Sequence, residues 1–130
     1  MIKLWSRLKS WGVPARISAG AQAEKQAEVY LRQQGLRFIA RNYLCRGGEI
    51  DLIFSDQQQL VFIEVRLRKN NRYGGAAASI THNKQRKINV AARHFMQKHD
   101  YQCHNVRFDT VCLDGDNNIQ WLKAAFNESA

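Results

Sequence analysis

The sequence predicts an α/β domain in which a mixed β-sheet is flanked by helices. At 130 residues with 45% apolar residues, the chain can build one core without a disulfide or a structural metal. Apolar periodicities indicate helices and strands in the order α-β-β-β-α-β-β. The helix between the third and fourth strands is long enough for a parallel crossover, so the sheet should contain both pairing directions.

The first helix should begin at Ser18, a typical N-cap residue, and run to about Gln34, with Gly35 as its stop. Glu24 falls at the edge of the apolar stripe, so it could face the end of a sheet or reach for solvent. The stripe itself consists of four residues, Ala23, Ala27, Tyr30 and Leu31.

Three strands should follow at residues 36–42, 49–54 and 60–67, the last two joined as a hairpin by the turn at 55–59. Side chains alternate between the faces of a strand. One face of the second strand should carry Glu49, Asp51 and Ile53, and the other face Ile50, Leu52 and Phe54. On the third strand, Glu64 and Arg66 should share a face.

A loop rich in Asn, Gly and Ala at residues 69–79 should lead to a second helix at 81–99. Its inward residues should be Ile88, Ala91, Ala92 and Phe95. Its basic residues should be largely available to solvent, namely Lys84, Arg86, Lys87 and Arg93. Strands at 106–113 and 119–122 should complete the sheet.

The net charge of +9 is unevenly distributed, since the stretch from Arg66 to Lys98 holds nine basic residues and no acidic one. Such a segment attracts polyanions through counterion release, although a solvated basic face is the plainer alternative. Nucleic acid is the predicted partner, with Tyr73 contacting a sugar or stacking on a base. The predicted contacts are Arg68, Lys69, Arg72, Tyr73, Lys84, Arg86 and Lys87.

Asp51 and Glu64 would lie on adjacent strands, where two carboxylates can share one divalent cation. Mg²⁺ or Mn²⁺ suits such oxygen ligands, and Mg²⁺ keeps several waters for a phosphate substrate to replace. Arg66 would add a fixed positive charge beside the scissile phosphate. The alternative is that Glu64 pairs with Arg66 or Arg68 and that Asp51 only accepts hydrogen bonds.

Several classes of protein are disfavoured. The three cysteines are odd in number and form no C-x-x-C pair, which argues against a disulfide framework or a zinc finger and fits the cytoplasm. No apolar run is long enough to predict a transmembrane segment. Residues 1–16 are expected to be a basic amphipathic leader, 17–126 the domain and 127–130 a tail. One hypothesis for the function is therefore an adaptor that binds a protein or a membrane through this leader.

Four parts of the chain together resemble the YraN family of bacterial proteins. They are Gly-Glu-Ile-Asp-Leu-Ile at 48–53, Val-Phe-Ile-Glu-Val-Arg-Leu-Arg at 61–68, Tyr-Gly-Gly-Ala-Ala-Ala-Ser at 73–79, and Lys84. The resemblance implies a restriction-endonuclease-like fold of the PD-(D/E)xK group, similar to Holliday-junction resolvases. It also implies a metal-dependent endonuclease acting on DNA, including branched or irregular DNA, and a homodimer.

Carried over by position, the resemblance makes Asp51 the motif aspartate, Glu64 the motif glutamate and Glu24 the glutamate of the first helix. Arg66 stands where the motif has lysine. Arginine keeps the charge but cannot take a proton from water. The alternative to the endonuclease is therefore a catalytically weak or inactive nucleic-acid-binding module of the same fold.

Overall fold

The computed structural model describes residues 18–68, 80–101, 105–116 and 118–128. Helices and strands follow one another in the predicted order, which confirms the α/β class and the sequence of elements. The elements are α1 (Ala19–Gln33), β1 (Arg37–Cys45), β2 (Gly48–Asp56), β3 (Gln59–Arg68), α2 (His82–Lys98), β4 (Asn105–Asp114) and β5 (Ile119–Phe126).

The strands form one five-stranded mixed sheet in the order β1-β2-β3-β4-β5. Neighbouring strands pair antiparallel except β3 and β4, which are parallel and are connected through α2. This confirms the predicted crossover. The order leaves β1 and β5 at the two edges and puts β3 at the centre of the sheet.

The ends of α1 follow from the residues that the sequence places there. The Ser18 hydroxyl accepts a hydrogen bond from the Ala21 N–H at 3.1 Å, which caps the first turn. At the other end, Gly35 adopts a φ of +94°, and the Leu36 N–H donates to the Leu31 carbonyl at 3.1 Å. This pattern is a Schellman ending, which needs a residue that tolerates positive φ.

The two helices cover opposite faces of the sheet. Leu52 packs in the core under α1, while its neighbour Ile53 packs in the core under α2. On β3, Ile63 and Phe62 divide between the same two cores in the same way. The sheet is therefore the middle layer of a three-layer domain.

The alternation of β2 breaks at Asp51. Ile50 belongs to the core under α2, whereas Leu52 belongs to the core under α1. The prediction that these two side chains share a face is therefore wrong. The strand is irregular here, since Asn42 of β1 takes a φ of +51° and the pairing of β2 with β3 goes no further toward Asp51 than Leu52 with Ile63.

Gly48 lets α2 approach the start of β2 closely. A Cβ atom at this position would lie 2.6 Å from the Lys87 carbonyl oxygen and 2.7 Å from the Ala91 nitrogen. Real Cβ atoms do not come so near to backbone, so only glycine allows this approach. The N-terminal half of α2 is thereby held against the first residues of β2.

A buried acid anchors the other edge of the sheet. Asp109 is fully buried and accepts hydrogen bonds from the Arg107 guanidinium at 2.8 Å, the Trp121 indole at 2.9 Å and the Ala124 N–H at 2.9 Å. Arg107 also pairs with Asp56 at 3.0 Å. The hydrogen bonds of Asp109 to Trp121 and Ala124 tie β5 to β4.

The predicted leader, residues 1–16, lies outside the described residues, and the division into leader, domain and tail stays a prediction. Among the residues that are described, neither helix combines the length and apolarity that a membrane crossing requires.

Candidate functional site

Asp51 points sideways from β2 toward β3. One of its carboxylate oxygens accepts a hydrogen bond from the Val65 N–H at 2.8 Å. This hydrogen bond lies just beyond Leu52 and Ile63, the last residues of the two strands that pair with each other. The irregularity of β2 therefore places a carboxylate in the gap where the two strands separate.

Glu64 lies beside Asp51 and is almost fully buried, with 7% of the residue exposed. Burial, the charge of Asp51 and a hydrogen bond with Asp51 together raise the pKa of Glu64 to about 8, against an opposing effect of Lys84. A glutamate with this pKa carries a proton at neutral pH. The pair is then a carboxyl group held against a carboxylate.

Lys84 enters the same region from the first turn of α2. Its ammonium lies 2.9 Å from Glu49 and 3.6 Å from Glu64. Only 29% of the side chain is exposed, so the prediction that Lys84 is largely available to solvent is wrong. The low exposure of Lys84 follows from the close docking of α2 at Gly48, next to Glu49, which brings the start of the helix near the acids.

The two acids that Lys84 contacts, Glu49 and Glu64, differ in their charge. A hydrogen bond from Lys84 lowers the pKa of Glu49, so that contact joins two full charges. Burial alone would lower the pKa of Lys84, but the hydrogen bond to Glu49 and the charges of Glu64, Glu49 and Asp51 raise it. Because Glu64 is mostly protonated, its longer contact with the ammonium is the weaker one.

Glu24 joins the group from the opposite layer. Burial raises the pKa of Glu24, the charges of Asp51 and Glu49 raise it further, and Lys84 opposes them. Glu24 is half-buried, and these interactions favour the alternative in which it faces the end of the sheet over the one in which it reaches for solvent. Glu24, Glu49, Asp51 and Glu64 are called the acidic cluster below.

Two members of this arrangement were not predicted as site residues in these roles. Glu49 was placed only on a strand face, and Lys84 was assigned to nucleic-acid contact. A signal for Glu49 existed, since it lies two residues before Asp51 on the same strand. The reach of Lys84 depends on the close docking of α2, which no local pattern predicts.

A pocket of about 380 Å³ opens beside the acidic cluster, lined by Glu64, Val65, Arg66, Leu67, Thr81 and Lys84. It brings Arg66 together with Glu64, as predicted from their shared face. Thr81 caps α2 by accepting the Lys84 N–H at 3.1 Å, and the first turn holds no acidic residue. The positive end of the helix dipole therefore adds to the charges of Arg66 and Lys84.

Thr110 is the ladder partner of Glu64 across β3 and β4. It is fully buried, and its hydroxyl has no hydrogen-bond partner among the described residues. Buried hydroxyls are normally satisfied, so an orphaned one next to a buried acid suggests a place for a water or another ligand.

The donors fit a hard divalent ion. Within residues 18–68, 80–101, 105–116 and 118–128, no three His, Cys, Asp or Glu side chains are grouped closely enough to enclose a metal. Asp51 and Glu64 would therefore provide two ligands at most. Mg²⁺ is commonly held by one or two carboxylates, with waters and substrate oxygens completing its shell.

The remaining predicted contacts that the structure describes lie on β3 and α2. Arg68 ends β3 opposite Asp114, while Arg86 and Lys87 are exposed on α2. Lys87 lies near enough for its charge to lower the pKa of Glu49. Three predicted contacts, Lys69, Arg72 and Tyr73, lie outside the described residues.

Comparison with known proteins identifies the family. The family model described as "Uncharacterised protein family UPF0102" matches residues 23–113. A UPF0102 protein of Nitrosomonas eutropha is 48% identical over 111 residues, covering 84% of this chain and 93% of the relative. The chain belongs to the UPF0102 family.

Other UPF0102 proteins match over similar lengths. One from Psychromonas ingrahamii is 50% identical over 114 residues, covering 85% of this chain and 91% of its own. One from Cupriavidus taiwanensis is 47% identical over 123 residues, covering 94% and 92%. The UPF0102 match runs from α1 to the end of β4, so it includes the whole acidic cluster, Arg66 and Lys84.

UPF0102 membership agrees with the YraN-like resemblance predicted from the motifs. The names of these relatives identify the family and no activity, metal or nucleic-acid partner. The roles assigned to individual site residues and the homodimer stay predictions.

Proposed function

We propose that the protein is a metal-dependent endonuclease that cleaves the phosphodiester backbone of DNA. The observation that carries this proposal is the pairing of Asp51 with the buried Glu64, whose pKa is raised to about 8. Two carboxyl groups held together in a buried place are costly unless a proton or a cation lies between them. A divalent cation would relieve that cost and serve phosphodiester chemistry.

Asp51 and Glu64 would hold the metal, with Mg²⁺ or Mn²⁺ the ions that suit their oxygens. A metal bound there supplies an acidified water and stabilises negative charge on the phosphate. The hydrogen bond from the Val65 N–H fixes the direction of the Asp51 carboxylate. Glu64 must give up its proton to become a ligand, so metal binding should be accompanied by proton release.

Other side chains of the pocket would bind and orient the substrate. Arg66 is always charged and can offer paired donors to a phosphate oxygen, but it cannot act as a base. The capped N-terminus of α2 adds favourable potential for an anion. Glu24 has a raised pKa, which suits a group that holds a water by accepting or donating a hydrogen bond.

Nucleic acid is supported as the substrate by charge. The chain carries a net charge of +9, and no acidic residue interrupts the stretch from Arg66 to Lys98 that borders the pocket. Contacts of this kind read the backbone without base specificity and weaken with salt. The resemblance to resolvases favours branched or irregular DNA over plain duplex.

The test is cleavage of four-way, duplex and single-stranded DNA with Mg²⁺ or Mn²⁺ by the full chain and by an Asp51→Asn variant. Asparagine can still accept the Val65 N–H, so the variant should fold while losing most activity. Glu128→Gln, which removes one exposed carboxylate far along the chain, is the control and should cleave normally. Absence of cleavage on every substrate, or full activity in Asp51→Asn, would contradict the proposal.

A second candidate is a nucleic-acid-binding module of the same fold without turnover. Two observations favour it: arginine stands at the motif lysine position, and no three-residue metal group is present among the described residues. It predicts salt-dependent DNA binding with no product, and no gain from Arg66→Lys. Metal-dependent product from the unaltered chain would exclude it.

A further inference from the structure

We propose that Lys84 is a tethered cation that occupies the acidic cluster in the absence of metal and turns toward the substrate phosphate when a divalent ion binds. The inference rests on the proposed function and adds a regulatory link to it. Metal loading would switch on one of the phosphate contacts of the same site.

The first support is the position of the ammonium. It lies 2.9 Å from Glu49 and 3.6 Å from Glu64, and its charge acts on Glu24 as well. It reaches these acids from α2, a layer that contributes none of them. A single lysine therefore stands where the negative charges of both other layers meet.

The second support is that the ammonium and a divalent ion compete for the same carboxyl group. Glu64 is both a contact of Lys84 and a proposed metal ligand. The ligands of Mg²⁺ lie at about 2.0 to 2.1 Å. Two cations that share one carboxylate in a partly buried site repel each other strongly. Binding of the ion should therefore weaken or break the contact between Lys84 and Glu64.

The third support is that the displaced side chain has a place to go. Lys84 also lines the pocket that contains Arg66 and Thr81. Its backbone is fixed in the first turn of α2, and its four-carbon stem lets the ammonium move several ångströms. A phosphate oxygen in this pocket would offer the released ammonium a new partner, so metal and DNA would each strengthen binding of the other.

The experiment measures the Kd of Mn²⁺ for the full-length, metal-free chain by calorimetry, without DNA. Lys84→Met removes the competing cation and should bind Mn²⁺ about tenfold more tightly than the unaltered chain. Lys87→Met is the matched control, because it removes the same charge from the next turn of α2, where the side chain is exposed. It should change the Kd by less than about threefold.

A second readout uses DNA. Mn²⁺ should strengthen the binding of a short oligonucleotide to the unaltered chain and to Lys84→Arg, which keeps the charge. That strengthening should be reduced in Lys84→Met. A lysine that only stabilised the fold would not produce tighter metal binding together with loss of this coupling.

A third readout needs no variant. In the unaltered chain labelled with ¹⁵N-lysine, the ammonium signal of Lys84 should shift when Mg²⁺ is added, while that of Lys87 should change little. The prediction therefore remains testable if Lys84→Met folds poorly.

The outcomes separate the two proposals. If Mn²⁺ binding depends on Asp51 but Lys84→Met binds no more tightly, and the Lys84 signal does not move, the tethered-cation inference is overturned and the nuclease proposal stands. If the unaltered chain binds no Mn²⁺ and cleaves no DNA, both are overturned.

Discussion

Replacing Glu64 by glutamine should stabilise the protein at alkaline pH, although Glu64 is a proposed ligand. The variant keeps the size of the side chain and the ability to donate a hydrogen bond to Asp51. It removes a carboxyl group that ionises at about pH 8 in the folded chain, against an ordinary value of 4.5. Without a bound cation, Glu64 therefore lowers the free energy of unfolding at alkaline pH.

The size and sign of the effect follow from proton linkage. Because the pKa of Glu64 is raised in the folded state, the unfolded chain holds fewer protons between these two values. The free energy of unfolding of the unaltered chain therefore falls as pH rises through this window. Between pH 5 and pH 8 the loss amounts to about 3 to 4 kcal/mol, which the glutamine variant avoids.

Urea unfolding at pH 5 and pH 8, in buffer with a metal chelator, measures the effect as a difference between variant and unaltered chain. That difference should move in favour of Glu64→Gln as pH rises. Glu49→Gln is the control: the pKa of Glu49 is lowered by Lys84, so its contribution is lost only in acid and should be nearly constant across this window. A pH-independent difference for Glu64→Gln would refute the reasoning.

Two further predictions concern the framework that holds the site. Gly48→Ala should lower the free energy of unfolding by about 2 to 3 kcal/mol, because the added Cβ meets the backbone of α2. Gly20→Ala is the control, since the space around Gly20 is open, and it should be neutral or stabilising. Equal effects of the two substitutions in urea unfolding would contradict the packing argument. Asp109→Asn should lower the free energy of unfolding by at least about 3 kcal/mol, because it leaves Arg107 without its buried charge partner. A loss below about 0.5 kcal/mol, which is typical of exposed positions, would show that these hydrogen bonds contribute little to stability.

The fold was largely predictable because its signals are local. Ser18, Gly35 and Thr81 mark helix ends at the positions where the structure has them. The parallel crossover followed from the length of the segment between β3 and β4. The full length of β5 could not be predicted. The strand continues to Phe126, and its Ala124 N–H donates a hydrogen bond to Asp109 of β4, a contact between strands that no local pattern encodes.

The site was predictable in part for the same reason. Asp51 and Glu64 could be placed together because adjacent strands bring acids side by side. The face of Ile50 was misassigned because strict alternation fails where a strand is irregular. The contacts of Lys84 could not be predicted, since they depend on how closely α2 docks at Gly48, which is a property of the assembled layers.

The three-layer arrangement has a consequence for the newly synthesised chain. Glu24 comes from one outer layer, Lys84 from the other, and the remaining acids from the sheet between them. A hairpin of β2 and β3 alone would expose three acids, Glu49, Asp51 and Glu64, to water without the ammonium of Lys84. The site that we propose to act on DNA is therefore complete only when all three layers have come together.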